Sequence, residues 1–424
     1  MTNDPYLLSA HNPIANVDQR DLEAKALTLL DHAEFKKARA LATILWRNAV
    51  GYAAREQMDR FDNLIDEWIF HFALRAANSD PNDPKVLRIM QPKAHWFGRG
   101  IPGSRWGGDC PDFTYRMIPL DGAGRYELHV RVIDAENPPS VTYTLMRNSG
   151  VPETIGLIDS LDMQRDAHGD YVISIDSTPA DGRPNHIQSR PGDMHLLIRD
   201  AIGDWLAQKP NDVRVRRLNK TDAPPRSDDN RSRFGFRFMH ETLYYAYYCT
   251  QSGSGQAPND LRAPSSSAAF GGMPTQWGTK GNLDLASDEA LIVNANHAGA
   301  QFRNTQLSDL FFMSANYWSR SGALNHTQMA PDEDGTFSYV VAHEDPGVHN
   351  WIDTGGLRRT IFGHRWQAFA RGGASEPPRI TARVVKFAEL EQELPAGIRY
   401  IDAAGRAAQL AHRLDGFRCR FLDA

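Results

Sequence analysis

Part of this chain occurs twice, and that constrains its fold more than any other feature. His168-Gly169-Asp170-Tyr171-Val172, followed by Pro184-Asn185-His186-Ile187-Gln188-Ser189, parallels Asp334-Gly335-Thr336-Phe337-Ser338, followed by His349-Asn350-Trp351-Ile352-Asp353-Thr354. Gly169 and Gly335 stand 166 residues apart, and Asn185 and Asn350 stand 165 apart. One residue of slippage aligns two blocks that each run from a hairpin turn into an Asn-x-Ile loop, the signature of an internal duplication. In a chain of 424 residues this implies two related cores rather than one enlarged core.

Around these blocks the hydrophobic period is that of strands. Tyr126, Leu128, Val130 and Val132 alternate with polar neighbours, Tyr171 to Ile175 is short and β-branched, and Asp121-Gly122 and Asp181-Gly182 mark turns. Earlier in the chain the period is helical. Phe61, Leu64, Ile65, Trp68, Ile69 and Phe72 fall on one stripe, and Leu22, Ala26, Leu29, Leu30 and Ala33 repeat the spacing. Between the blocks, Phe236, His240, Leu243, Tyr244, Tyr247 and Tyr248 share a helical face, flanked by polar, turn-rich sequence. One segment is ambiguous: Met194, Leu197, Ile198, Ala201, Ile202 and Trp205 have helical spacing, whereas their duplicate, Thr360 to Trp366, fits a strand. The expected fold is α+β, mainly β, with two related antiparallel β-sandwich (jelly-roll-like) modules and an N-terminal helical segment. Residues 1–90 are the helical segment, 94–217 the first module, 218–284 the aromatic helix and flexible linker, and 285–424 the second module with a C-terminal extension.

Net charge is −5 and the basic residues are scattered, which argues against nucleic acid or an anionic membrane as partner. No run approaches the roughly 20 apolar residues of a membrane helix. Met1 to Pro5 lacks a secretory pattern, so the expected location is the cytoplasm. Cys110, Cys249 and Cys419 are too few and too dispersed for a disulfide framework or a metal knuckle. No dinucleotide, Walker A or GxSxG motif is present, and Tyr244 replaces the second His of an HExxH pattern begun by His240-Glu241. No organic cofactor is therefore expected. The expected partner is a small molecule, and a homo-oligomer is compatible with the sequence.

Functional residue types are densest from His343 to Asp353, where two imidazoles, three carboxylates, an amide and an indole follow a strand. As a site, this loop offers His343, His349, Asp345 and Asp353 for acid/base work, with Trp351, Asn350 and Arg365 binding substrate. As scaffold, Asp345-Pro346-Gly347 is an ordinary turn, Asn350 caps the loop and Trp351 fills a core. His343 and Asp345 with His349 or His364 also match the pattern of a non-haem iron centre. A second loop, Trp96 to Phe113, offers Trp96, Trp106, Asp109 and Asp112 to a ligand cleft. Cys110 there is either a packed thiol or, beside a histidine, a nucleophile. His326 and Tyr247 are further candidates for a base and a stacking wall.

Gly108-Asp109-Cys110-Pro111-Asp112, the Asp121-to-Tyr126 hairpin and above all the segment from His343 to Gly356 resemble the bacterial family called domain of unknown function 1214, often found with its companion domain 1254. The resemblance covers about residues 94 to 217 and 285 to 390. Cys110 stands where that family has Asn, and His349 where it usually has Pro. It implies a β-sandwich or jelly roll with appended helices and no established activity. From the residues themselves, the expected function is an acid/base lyase or hydrolase acting on a small, partly apolar or aromatic molecule. The alternatives are a non-catalytic carbohydrate- or ligand-binding sandwich with Trp96, Trp106 and Trp351 as platforms, and a non-haem iron enzyme.

Overall fold

The computed structural model describes residues 4–421 apart from 10–11, 52–53, 149, 251–256, 271–272, 274 and 370–372; the side chains of 244–250 and 269–270 also lie outside the described residues. Three helices come first: α1 (Val17–Leu30), α2 (Ala33–Val50) and α3 (Phe61–Ala77). Asn16 caps α1 by accepting from the Gln19 amide at 2.9 Å. The apolar stripe of α3 is present, but burial goes beyond it, and every residue from Glu67 to Ala77 is buried. From Glu67 onward the helix is packed on all sides, while Asp62 and Asp66 keep its first turns amphipathic.

The first module holds β1 (Leu87–Ile89), β2 (Ala94–Trp96), β3 (Arg99–Ile101), β4 (Phe113–Asp121), β5 (Tyr126–Arg131), β6 (Ser140–Arg147), β7 (Thr154–Asp159), β8 (Tyr171–Asp176), β9 (His186–Gln188), β10 (Asp193–Ala201) and β11 (Asp212–Arg217). Helix α4 (Asp228–Thr250) follows. The second module holds β12 (Ser265–Ser266), β13 (Trp277–Asp284), β14 (Glu289–Ala295), β15 (Ala300–Ser308), β16 (Ala323–Asn325), β17 (Phe337–Ala342), β18 (Trp351–Asp353), β19 (Arg359–Phe369) and β20 (Ile380–Lys386). The short α5 (Leu390–Glu393) and α6 (Ala403–Phe421) end the described chain.

Strand order repeats between the modules. The first has β1-β4-β10-β6-β7 and β11-β5-β8-β9; the second has β12-β13-β19-β15-β16 and β18-β17-β14-β20. Each module carries one parallel pair at the same place, β8 with β9 (Ser174 opposite His186) and β17 with β18 (Val340 opposite Trp351). These pairs sit at the offsets read from the sequence, so the duplication is a property of the fold. The protein is a mainly β, α+β molecule with two sandwich modules and an N-terminal helical segment.

The ambiguous segment is a strand. β10 pairs with β4 from Asp193 to Ala201 and with β6 over most of that length, and a two-sided ladder outweighs local helical spacing. The second module begins earlier than the sequence suggests, because β13 lies within the stretch read as linker; Gly278, Gly281 and Asn282 dilute its strand signal. The helix expected from Phe236 begins at Asp228. Among the described residues, no helix is long and apolar enough to cross a membrane.

Alternation along the central strands sorts two environments. Met194, Leu196 and Ile198 of β10 face the first sandwich core, and Phe362 and Trp366 of β19 face the second. The other faces of the two five-stranded sheets look outward, where they and the helices enclose a cavity.

Candidate functional site: the cavity between the modules

The cavity measures about 340 Å³ and is walled by β4, β6 and β10 from one module, β13, β15 and β19 from the other, and by α3 and α4. That volume suits a small organic ligand. Its apolar surfaces come from Phe113, Met117, Met146, Leu197, Phe238 and Phe312. Its charged side chains are Arg75, Arg147, Arg199, Arg262, Lys280 and Arg365, and no Asp or Glu is among the described lining residues. A cavity with cations and no carboxylate, in a chain of net charge −5, concentrates positive potential at one point.

Two of these cations occupy duplicated positions. Arg199 on β10 and Arg365 on β19 stand 166 residues apart, and their strand neighbours correspond. Leu197, two residues before Arg199, is opposite Thr144, and Gly363, two before Arg365, is opposite Gln306. Arg199 Nη1 donates to Thr144 Oγ1 at 3.0 Å and Arg365 Nη1 to Gln306 Oε1 at 2.7 Å, so each guanidinium is held by the equivalent residue of the next strand. Arg365 also donates to Asn304 Oδ1 at 2.9 Å and to the Gly108 carbonyl at 3.0 Å. Tyr115, opposite Arg199 on β4, lines the same cavity. Its hydroxyl accepts the Cys110 amide at 3.1 Å, which leaves its proton available to a ligand. Burial pushes the Tyr115 hydroxyl up, while Arg365 and Arg199 both pull against it, so the two guanidiniums act on one point.

Loop and helix complete the wall. Gly108 has φ +77°, and a Cβ there would lie 2.5 Å from the Phe312 ring, so only glycine lets this loop close against Phe312. The loop is anchored by Arg105, which bonds Glu67 of α3 through Nη2 at 2.6 Å and Nε at 2.9 Å. One helical face of α3 carries Glu67, His71 and Arg75, and the last two reach the cavity. Arg75 lies over the Phe238 ring at 3.6 Å and donates to Asn148 Oδ1 at 3.0 Å. Burial pushes the His71 ring well down, with Arg75 adding to the effect, so it is neutral.

The loop from His343 to Asp353 lies elsewhere. His343 contacts the Leu285 carbonyl at 3.1 Å and Thr354 Oγ1 at 2.9 Å, and His349 Nδ1 contacts Asn350 Oδ1 at 3.1 Å. Asp345 pairs with Arg406 of α6 at 2.9 Å and Asp353 with Arg320 at 2.8 Å. Asn350 bonds the backbones of Ala330 and Ser338, and the buried Trp351 indole donates to the Ala342 carbonyl. These side chains are gathered on one loop, but their polar atoms stitch that loop together and to its neighbours, and none lines the cavity. His364, the distant iron ligand of that reading, turns into the second sandwich, 4.2 Å from Trp366 between ring centroids. Among the described residues, no group of three or more His, Cys, Asp or Glu could hold a metal ion.

The first loop divides. Trp106 lines the cavity, as Arg365 of β19 does, whereas Trp96, Asp109 and Asp112 do not. Trp96 donates to Glu23 at 2.7 Å, Asp109 accepts Ser314 Oγ at 2.6 Å, and Asp112 accepts the Trp205 indole at 2.9 Å. His326 packs against Phe302 outside the cavity lining, and burial pushes its ring down to about 4, with Arg303 adding to the effect. The side chain of Tyr247 lies outside the described residues. Burial pushes the Cys110 thiol up to about 12 against the opposing charge of Arg365, which makes it a packed thiol rather than a nucleophile. Iodoacetamide at neutral pH is therefore expected to alkylate the exposed Cys419 and spare Cys110 until the protein is denatured, as read by peptide mass spectrometry. Prompt labelling of native Cys110 would contradict this.

No family model and no curated protein matches the chain, so the resemblance noted above rests on its motifs. Among solved structures, the chain is similar to an uncharacterised protein from Burkholderia cenocepacia at 21% identity and a TM-score of 0.69, covering 86% of this chain and 99% of that one. A protein from Vibrio parahaemolyticus matches at 10% identity and a TM-score of 0.42, covering 81% of this chain and 100% of that one. The Burkholderia likeness extends over nearly the whole of that protein and shows a shared fold.

Proposed function

We propose that this protein binds a small organic anion with an apolar or aromatic body in the cavity between its modules. The observation that supports this is the lining: six cationic side chains, no described carboxylate, and Phe, Met and Leu walls. A ligand carboxylate, sulfonate or phosphate complements that cationic lining through charge-assisted hydrogen bonds. Arg199, Arg365 and the Tyr115 hydroxyl receive the charged head, and the apolar walls receive the body. Acid/base turnover is a second reading, favoured by the imidazole of His195 in the same wall.

Calorimetric titration with decanoate and with decanol tests the binding. Decanoate is expected to bind at least about tenfold more tightly, because charge-assisted hydrogen bonds contribute about 1.5–3 kcal/mol each. Arg199→Met and Arg365→Met are each expected to weaken decanoate about 10- to 100-fold and to leave decanol nearly unchanged. His343→Ala and His349→Ala should leave the affinity intact. Equal binding of acid and alcohol, or decanoate affinity insensitive to both arginine substitutions, would refute the proposal.

A further inference from the structure

The end of the cavity away from the arginine pair is built around His195, and its hydrogen bonding fixes which proton it carries. Asn148 Nδ2 donates to the Met194 carbonyl at 3.1 Å, so the amide oxygen is turned the other way, toward His195 and Arg75. That oxygen accepts Arg75 Nη2 at 3.0 Å and lies 2.7 Å from His195 Nδ1. Two acceptors cannot sit 2.7 Å apart without a proton between them, so Nδ1 carries the hydrogen. The longer approach of Arg75 Nη2 to the same nitrogen, 3.4 Å, is then a contact between donors, and that guanidinium is satisfied by Asn148. Burial, with Arg75 and Arg199 adding to it, keeps the ring neutral, so it does not take up a second proton at neutral pH. Nε2 is left with a bare lone pair. It has no protein partner among the described residues and is not sealed from the cavity that His195 lines.

The distance to the anion end follows from the strand. His195, Leu197 and Arg199 alternate onto the same face of β10, and a rise of roughly 3.3 Å per residue puts the backbone positions of His195 and Arg199 about 13 Å apart. The space between is apolar: Leu197 is opposite Met117 on β4, and Met146 on β6 is opposite His195. A cation pair, an apolar span and a hydrogen-bond acceptor thus follow one another along one wall.

We infer that the ligand carries a neutral hydrogen-bond donor, a hydroxyl in the simplest case, about 13 Å from its anionic head, and that His195 Nε2 selects it. The inference rests on the anion-binding function proposed above and adds the chemistry of the far end. A methyl there leaves Nε2 facing an apolar group. A carboxylate there cannot donate and meets a lone pair. An ether can accept but finds no proton on Nε2.

Titration of the protein with decanoate, ω-hydroxydecanoate, ω-methoxydecanoate and decanedioate tests this. The hydroxy acid is expected to bind about tenfold or more tightly than the other three, since a site built to accept a hydrogen bond rejects ligands that cannot donate one. In His195→Phe the preference for the hydroxy acid over decanoate is expected to vanish, with the fold of the variant checked independently by its urea midpoint. A methoxy acid or dianion that binds as tightly as the hydroxy acid overturns the inference, as does a preference that survives His195→Phe. These ligand comparisons need no variant, so a misfolded His195→Phe would not protect the inference. Equal binding of decanoate and the hydroxy acid overturns this inference and leaves anion binding standing. Failure of all four acids to bind overturns anion binding itself.

Discussion

Asp112→Ala is expected to destabilise the protein by about 3–5 kcal/mol, because one buried carboxylate accepts hydrogen bonds from both modules. Asp112 belongs to the loop before β4, and its side chain accepts the indole of Trp205 at 2.9 Å from its own module. From the other module it accepts the amide of Asn325, at the end of β16, at 2.6 Å, and the amide of Asn304 on β15. Burial pushes its pKa up, and the hydrogen bond from Asn325 and the charges of Arg413 and Arg420 on α6 oppose that shift. An alanine leaves three donors in a dry space, and each orphaned donor costs about 1–3 kcal/mol. Asp112→Asn keeps the shape but turns an amide N–H₂ toward other donors, so it too destabilises, by a smaller amount. Urea unfolding followed by tryptophan fluorescence measures both, and a loss under about 1 kcal/mol for the alanine variant would show that the three donors find other partners. The cavity sits at the junction this residue ties, so weaker ligand binding is expected to accompany the loss.

The sandwich pair was legible in the sequence because the duplication is encoded in turns. Gly169 and Gly335 each take positive φ, and the Asn-x-Ile loops lead into the two parallel strands β9 and β18. The cavity was not legible, for an identifiable reason. Met194, Leu197, Ile198 and Ala201 form a helical face, and that reading puts His195 and Arg199 on another side of a helix, away from Leu197. Read with a period of two, as a strand that is buried on both faces, the same residues give His195, Leu197 and Arg199 on one wall. The duplicate had already indicated the strand through Gly363. The signal for α3 was also present: Glu67, His71 and Arg75 recur every fourth residue in a stretch, Glu67 to Ala77, whose other residues are all apolar, the spacing of a buried polar stripe.

The loop from His343 to Asp353 shows the opposite limit of a sequence. Its residue types are those of an acid/base site, and sequence shows which types are close in the chain but not where their polar atoms turn. In the fold Asn350 is consumed by two backbone segments and Asp345 by an arginine about sixty residues away on α6. A loop that must join a parallel strand to its neighbour has unpaired backbone groups to satisfy, and His, Asn and Asp do that work. Arg365, in contrast, was singled out as a partner of that loop and belongs to the cavity. Its duplicate Arg199 is the second guanidinium that makes the pair intelligible.

Replacing His326 and His364 together by Gln is expected to change the pH dependence of stability strongly. Burial pushes His326 down to about 4 and His364 down to about 3, with Arg303 the next cause for both. In the unfolded chain these rings take up a proton near 6.5, whereas in the fold they stay neutral until pH 4 and 3. The unfolded state therefore binds more protons between those limits, and stability falls as pH drops below 6.5. At about 1.36 kcal/mol per unit, the two rings together cost on the order of 7 kcal/mol between pH 6.5 and 4. Buried carboxylates act in the other direction. Burial raises Asp109 and Asp159 to about 6, so acid neutralises them in the fold first and adds stability as pH falls from there. Total stability against pH is a sum of both effects, so the informative quantity is the difference between parent and double variant, in which the carboxylates cancel. That difference is expected to move in favour of the variant by several kcal/mol between pH 7.5 and 4, whatever its offset at neutral pH. Urea midpoints at a series of pH values give it directly, and parallel curves for the two proteins would mean that both imidazoles titrate alike in the folded and unfolded chain.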